Sequence, residues 1–401
     1  MRRMLTGVAL LSLACGSESH IPPVVRDSVG ITIVENLGPA WTRTSRWRLA
    51  GSPSMSLGEP ADPNYAFSRV VGAARLQNGS IVVANGGTQE LRWYDRAGSF
   101  QKSVGGGTFA SIEWIGQFES NTIVVFDFGN LRLSSFGLDG ELKETGDLVV
   151  TFQASPSSVK GIFSDSAVLA LRDVRSWAPV MIRSGDVRDG LVRGPAAAFR
   201  YDINGNFINS LGSYQGAERI FTRGRTNIVR VTSRPFGRNA VFAVSGDRYY
   251  VGMQDRFEIE VHNPHGDLSA ILRLARESVP VTDADVNRYK LSRLAGVHER
   301  ERADRQNQLD ALPFPETMPA YGAIITDSEG NLWVPDYRPF GDEPVRWTVF
   351  DSQNRMLGTV ETSQDLTVQE IGSDYVVGTY TDEDDQVSVR LYELLKPADR
   401  H

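Results

Sequence analysis

The chain of 401 residues contains one cysteine, Cys15, and five histidines. A lone thiol forms no intrachain disulfide, so a disulfide-stapled scaffold is excluded. His20 and His401 lie near the termini, His298 in a predicted surface helix, and His262 and His265 around a Pro-Gly turn. A histidine-rich zinc site on neighbouring strands cannot be assembled from those positions. Nowhere do about eighteen apolar residues run together, so no segment reads as a membrane-spanning helix. No G-x-S-x-G elbow is present, and the glycine run SVGGGTF (103–109) lies between two strands rather than opening a helix. Neither an acyl-transfer serine nor a nucleotide-phosphate loop is therefore expected. A formal net charge of −7 argues against a nucleic-acid partner.

Glycine is plentiful, at 38 residues, beside 18 Phe, 12 Tyr and 7 Trp, a composition that suits strands joined by tight turns. The opening MRRMLTGVALLSLAC places two arginines before a short apolar run and a small residue before Cys15, the pattern of an export signal. The expected organisation is a signal peptide at 1–14, a tether at 15–29, a folded body at 30–397 and a tail at 398–401. The position of Cys15 resembles that of the acylated cysteine in bacterial lipoprotein signals, which implies a lipid-held protein of the periplasm or outer membrane. Ser12 stands where those signals usually carry leucine. Ser12 and Ala14 also suit ordinary signal cleavage, which leaves a secreted protein.

The apolar quartets IVVA (81–84), IVVF (123–126), AVLA (167–170), YYVG (249–252), LWVP (332–335) and YVVG (375–378) are spaced by 42, 44, 82, 83 and 43 residues. Turn signals precede most of them, and a second strand, a turn and a further strand follow, as in LRWYDRAGSF and WTVFDSQNRML. Such a unit is a four-stranded antiparallel meander, the blade of a β-propeller. Each doubled gap holds one unit, so an all-β six-bladed propeller is expected. The last repeat offers three strands, and GITIVEN (30–36) and WRLAG (47–51) are available to complete it. Closure would then tie residues near 30–55 to residues near 386–392. One helical insertion is expected at about 281–312, opened by a Thr282/Asp285 capping box, with Val286, Tyr289, Leu294 and Val297 on one face and the helix continuing into HERERADRQNQLDAL.

The ITIVEN strand, RLQNGSIVVA and DSEGNLWV together resemble the NHL-like six-bladed β-propellers of bacterial envelope proteins. The resemblance spans about 30–395 and implies fold and location. It names no chemistry, because propellers host lyases, lactonases, dehydrogenases, sensors and scaffolds alike.

Strand parity locates a functional face. The first and third turns of each blade emerge on one side and are short; the middle loops and interblade crossings emerge on the other and hold the insertions at roughly 172–196, 212–235, 276–320 and 336–343. Between 219 and 238 lie Arg219, Arg223, Arg225, Arg230, Arg234 and Arg238 with no acid inside the span. From this face the expected ligand-binding set is Arg172, Arg175, Arg223, Arg225, Arg234, Phe236, Arg238, Tyr321, Tyr337 and Arg338, because guanidinium forks match carboxylate, sulfate and phosphate. Asp127, Asp255 and Asp336, with Asn130, occupy comparable middle-loop positions and are the candidate ligands should the channel hold calcium, the metal that oxygen donors suit. Two classes follow. One is a non-catalytic binding propeller, monomeric and cofactor-free, for an anionic small molecule, carbohydrate, peptide or envelope protein, touching membrane only through a lipid. The other is a calcium-assisted hydrolase or lyase.

Overall fold

Short apolar strands fold back on one another here because an aspartate heads so many of the turns between them. The Asp95 carboxylate accepts the N–H groups of Ala97 and Ser99, both at 2.9 Å, while Gly98 takes φ +84°. Asp327 does the same for Glu329 and Asn331, with Gly330 at φ +83°, and Asp351 for Gln353 and Arg355. The side chain thus satisfies turn amides that no strand can reach, and a glycine, or Asn354 at φ +64° in the third turn, supplies the left-handed residue.

In the computed structural model, the described residues are 21–397 apart from 43, 120, 152–153, 186–188, 224–227 and 341–342; Cys15 and the segment expected to be a signal fall outside them. Among these residues the strands form six predominantly antiparallel sheets, numbered here in chain order by their first strands: Val70–Arg75, Ile112–Phe118, Ser158–Ile162, Val241–Ser245, Ile325–Thr326 and Leu366–Ile371. First strands of sheets 1 to 5 adjoin in succession, that of sheet 6 adjoins that of sheet 1, and Ser328 N–H donates to Ile371 O between sheets 5 and 6. The arrangement is that of a β-propeller. Its core lies between sheets rather than within one. Leu91 and Trp93 pack on Ile123 and Phe136 between sheets 1 and 2, and Val377 and Val389 meet Ile81 and Tyr94 between sheets 6 and 1. Inner strands are covered on both faces, which is why the quartets are continuous apolar runs instead of alternating ones: Ile81, Val82, Val83 and Ala84 are all fully buried.

The N-terminal segment departs from expectation. Ile31–Asn36 does not join the last repeat; it runs parallel to Leu268–Leu274, the outer strand of sheet 4, and carries the exposed strand Val24–Ser28 on its far side. Strand propensity is visible in ITIVEN, but nothing in a single strand names its partner. From there the chain passes to sheet 5. Buried Asn36 donates to the carbonyls of Arg273 and Asn354 and accepts from Met356 N–H, and Ala40 and Trp41 donate to the carbonyls of Met356 and Leu357. It ends on sheet 6, where Arg48–Leu49 and Met55–Leu57 pair with Val387–Leu395. Residues 31–57 are therefore a strap across the outer edges of three sheets.

Two insertions also differ from the loops expected. The described residues of 174–196 and 213–233 build a layer beyond the body of sheet 3. Helix α1 (Val174–Ser184) is capped by Asp173 and stopped by Gly185 at φ +78°. The strands Gly190–Tyr201 and Phe207–Arg223 run on past the body of the sheet and are joined there by Val229–Ser233. Trp177 of α1 stacks on Phe221, and its indole N–H donates to Pro195 O at 3.0 Å. A Cβ on Gly194 would lie 2.1 Å from that indole, so glycine is required. Residues 283–310 form two helices, not one: α2 (Asp283–Leu294) with the predicted capping box, and α3 (Glu299–Asp310). Gly296 at φ +73° breaks the helix between them.

Candidate functional site

The arm of sheet 3 and the α2–α3 hairpin rise from the same face, and a cleft of about 590 Å³ opens between them. Strand alternation assigns its walls: Phe221, Val229 and Val231 turn toward α1, whereas Ile220, Thr222, Arg230 and Thr232 turn toward the hairpin, which contributes Tyr289, Arg305, Gln308, Leu309 and Leu312. Arg223 stands at the rim. Among the described residues the lining contains no carboxylate. Among the described residues Arg305 reaches only the Gln308 amide oxygen, at 3.3 Å, and Arg230 makes no ion pair. The floor is apolar and the rim cationic.

A second cleft, of about 390 Å³, lies between sheets 4 and 5 and gathers Arg256, Arg276, Asp336, Tyr337, Arg338 and Arg346. Its charges are largely matched. Asp336 is gripped by Arg276 at 2.6 Å and Arg346 at 2.7 Å, and Arg338 pairs with Glu343. Burial raises the Tyr337 hydroxyl above the usual tyrosine pKa.

The remaining expected residues serve the scaffold. Arg234 pairs with buried Glu218 at 3.1 Å and donates to Pro313 O at 2.7 Å. Arg238 contacts Asp255 at 3.2 Å and donates to Thr317 Oγ1 at 2.7 Å. Together they fasten the return segment of the helical hairpin to the crossing between sheets 3 and 4. Glu218 lies one residue outside the acid-free span, which is why the sequence concealed it. Phe236, at φ +52°, is buried among Tyr289, Phe314 and Phe340. Tyr321 is wholly buried and donates to Glu258 O at 2.8 Å. Arg175 pairs with Glu113 at 3.0 Å and lies over the Phe128 ring; Arg172 is half-buried at the end of its strand. Arg225 lies outside the described residues.

The three aspartates do not converge. Asp127 is buried and occupied by the N–H groups of Ala110, Ser111 and Gly129 and by the Asn130 amide. Asp255 accepts Arg193 through both oxygens, at 2.9 Å each, and Asp336 is held as described. No group of three His, Cys, Asp or Glu residues gathers at metal-binding distance among the described residues. The middle-loop position that made them look equivalent serves instead to staple loops.

No protein-family model matches the sequence, and no curated protein does. Solved structures are similar over most of the chain's length at low identity. A member of the DUF4221 family from Bacteroides vulgatus is 10% identical with a TM-score of 0.49, over 88% of this chain and all of that one. Virginiamycin B lyase from Staphylococcus aureus is 9% identical at 0.41, over 87% and all respectively. The WD40 repeats of RRP9 are 8% identical at 0.44, over 86% and all. None of these likenesses assigns a family or an activity to this chain.

Sequence reasoning also missed a half-buried polar knot where sheets 6, 1 and 2 meet. Glu370 accepts from Tyr375 Oη, from Gln117 Nε2 at 2.8 Å and from Arg75 N at 3.2 Å. Burial pushes its pKa to about 7 from 4.5, against the lowering effect of those hydrogen bonds. Since folding favours the protonated form, its contribution is full below pH 4.5 and is lost as pH rises to about 7. The full shift corresponds to about 3 kcal/mol. Glu370→Gln is expected to raise the melting temperature at pH 8 while leaving it nearly unchanged at pH 4.5. Parallel melting curves against pH for variant and wild type would show that the carboxyl stays ionised.

Proposed function

We propose that the chain is an exported, ring-closed six-bladed propeller of NHL-like type that binds an anionic ligand with an apolar portion in the cleft between the sheet 3 arm and the α2–α3 hairpin. The observation that carries this reading is the cleft's charge: arginines line it without carboxylates among the described residues. A guanidinium left unmatched at a concave surface with an apolar floor favours an acidic sugar or acidic peptide over a neutral one. Export, with lipid attachment through Cys15, is supported by the apolar run and the lone cysteine. Ring closure is supported by the pairing of Met55–Leu57 with Val387–Leu395.

The test is titration calorimetry with glucuronic acid, glucose 6-sulfate, inorganic phosphate and a glutamate-rich peptide against wild type and Arg230→Gln/Arg305→Gln. Hydrogen bonds to charged groups contribute about 1.5–3 kcal/mol each, so the double variant is expected to bind its best anion roughly 100-fold more weakly. Equal affinity in the two proteins, or no binding of any of the four, overturns the reading.

A further inference from the structure

Four of the six first strands share an irregularity. Pairing with the second strand slips by one residue between Val70 and Gly72, between Val159 and Gly161 and between Val368 and Glu370. In sheet 2 it slips between Ile112 and Trp114, which face consecutive residues Asp127 and Phe126. Each slip is a β-bulge leaving one residue outside the ladder: Val71, Glu113, Lys160 and Gln369. A bulge bends its strand and re-aims the extra side chain, and bulges gather beside functional sites. The first strands of sheets 6, 1, 2 and 3 adjoin in that order, so the four bulged residues lie on neighbouring inner strands.

Lys160 is unlike every other lysine in the protein. The chain has only five. Lys102 pairs with Glu141, Lys290 with Asp310 and Lys396 with Glu329, while Lys143 donates to Thr122 Oγ1. Lys160 has neither hydrogen bond nor ion pair with a described residue, although protein surrounds it and water still reaches it. The acids nearby are already engaged. Glu113 holds Arg69 at 3.4 Å and Arg175 at 3.0 Å, and Asp173 caps α1 and accepts from Ser157 Oγ at 2.7 Å.

We infer that the space enclosed by the bulged rims is a binding site for a small monocarboxylate, with Lys160 as its cationic contact. Three cations, Arg69, Lys160 and Arg175, face two acids, Glu113 and Asp173, which leaves one positive charge to neutralise. A monoanion completes the count and a dianion overfills it. Enclosure lowers the pKa of the amine, with Arg175 adding to the effect and Asp173 and Glu113 opposing it; a bound carboxylate would relieve that cost. The site rests on the ring reading above but is separate from the arginine cleft.

The scarcity of lysine makes the test direct. Reductive methylation with ¹³C-formaldehyde gives one signal per lysine, and Lys160→Arg assigns the one of interest. Sodium acetate, sodium propionate and inorganic phosphate are titrated at constant ionic strength against sodium chloride. The Lys160 signal is expected to move saturably with acetate or propionate while the other four stay in place. Unmethylated Lys160→Met should lose carboxylate binding at least tenfold by melting-temperature shift, and Arg230→Gln/Arg305→Gln should retain it. Glu113→Gln, which removes one negative charge from the rim, should bind the carboxylate severalfold more tightly, a gain that misfolding does not produce. Lysine signals that all move alike, saturation with phosphate alone, or wild-type carboxylate affinity in Lys160→Met would each overturn the inference.

Discussion

A chain starting at residue 30 is expected to melt within about 2 °C of one starting at residue 21, whereas a chain starting at residue 58 should show no cooperative unfolding at all. The first truncation removes Val24–Ser28, every residue of which is exposed, so little apolar surface leaves its packing. The second removes the strap. Leu57 is 2% exposed and Val34 likewise, Met55 packs on the cluster between sheets 6 and 1, and Trp41, Trp47 and Leu49 pack on that between sheets 5 and 6. Trp41 lies so close to the outer strand of sheet 5 that a Cβ on Gly358 would meet its ring at 2.2 Å. Each such side chain contributes about 1.5–3 kcal/mol when fully buried. Their sum reaches the whole net stability of a typical domain, about 5–15 kcal/mol. A chain starting at residue 37 keeps Met55–Leu57 but loses Asn36 and Val34, and its melting temperature should fall between the other two. Calorimetric scans of the three truncations read the outcome. Similar melting temperatures for the chains starting at 30 and 58 would mean that the strap is an ornament of the fold.

The second large effect is expected at a residue outside the acid-free arginine span. Replacing Glu218 by Ala leaves the Arg234 guanidinium buried without its carboxylate and frees the Arg238 N–H, which donates to the same oxygen at 3.1 Å. Breaking one side of a buried pair costs about 3–5 kcal/mol, more than the intact pair contributes, because the orphaned charge has been taken out of water. Backbone hydrogen bonds join Glu218 to Arg234 and Arg238 as well, so the turn bearing Phe236 should loosen and with it the seat of Tyr289. Arg230→Gln, by contrast, should shift stability by less than about 0.5 kcal/mol, as exposed substitutions do. Urea unfolding of both variants separates the two kinds of arginine; equal losses would place Arg230 in a network like that of Arg234.

These contrasts show what could be read from the residues and what could not. Apolar quartets and aspartate-headed turns are local signals, and so is the Thr282/Asp285 box; each is satisfied within a few residues, so each was visible in the chain. Ion pairs between loops are not local. Glu113 and Arg175 stand 62 residues apart, as do Arg193 and Asp255. An acid-free stretch of sequence therefore said little about which guanidinium groups lack a partner in space. The arm escaped notice for a related reason. Residues 190–196 and 215–223 are neither strongly alternating nor continuously apolar, and they hold their strands through α1 and through each other rather than through the body of sheet 3. Lys160 and Glu370 sit at or next to bulges, and a one-residue slip in pairing leaves no mark on composition.

The strap also sets the order in which the molecule can be completed. Ile31–Asn36 leaves the ribosome early, yet its ladder partners are residues 270–274, and those of Met55–Leu57 are residues 389–391. Contacts separated by more than 200 residues raise contact order and slow folding. Until sheet 4 emerges, the β-prone ITIVEN segment of the nascent chain has only the exposed strand Val24–Ser28 to pair with. During that interval it is an aggregation hazard. The fold is thus completed only once residues 387–395 are available, and a chain cut before them would leave Met55–Leu57 without the edge it pairs with.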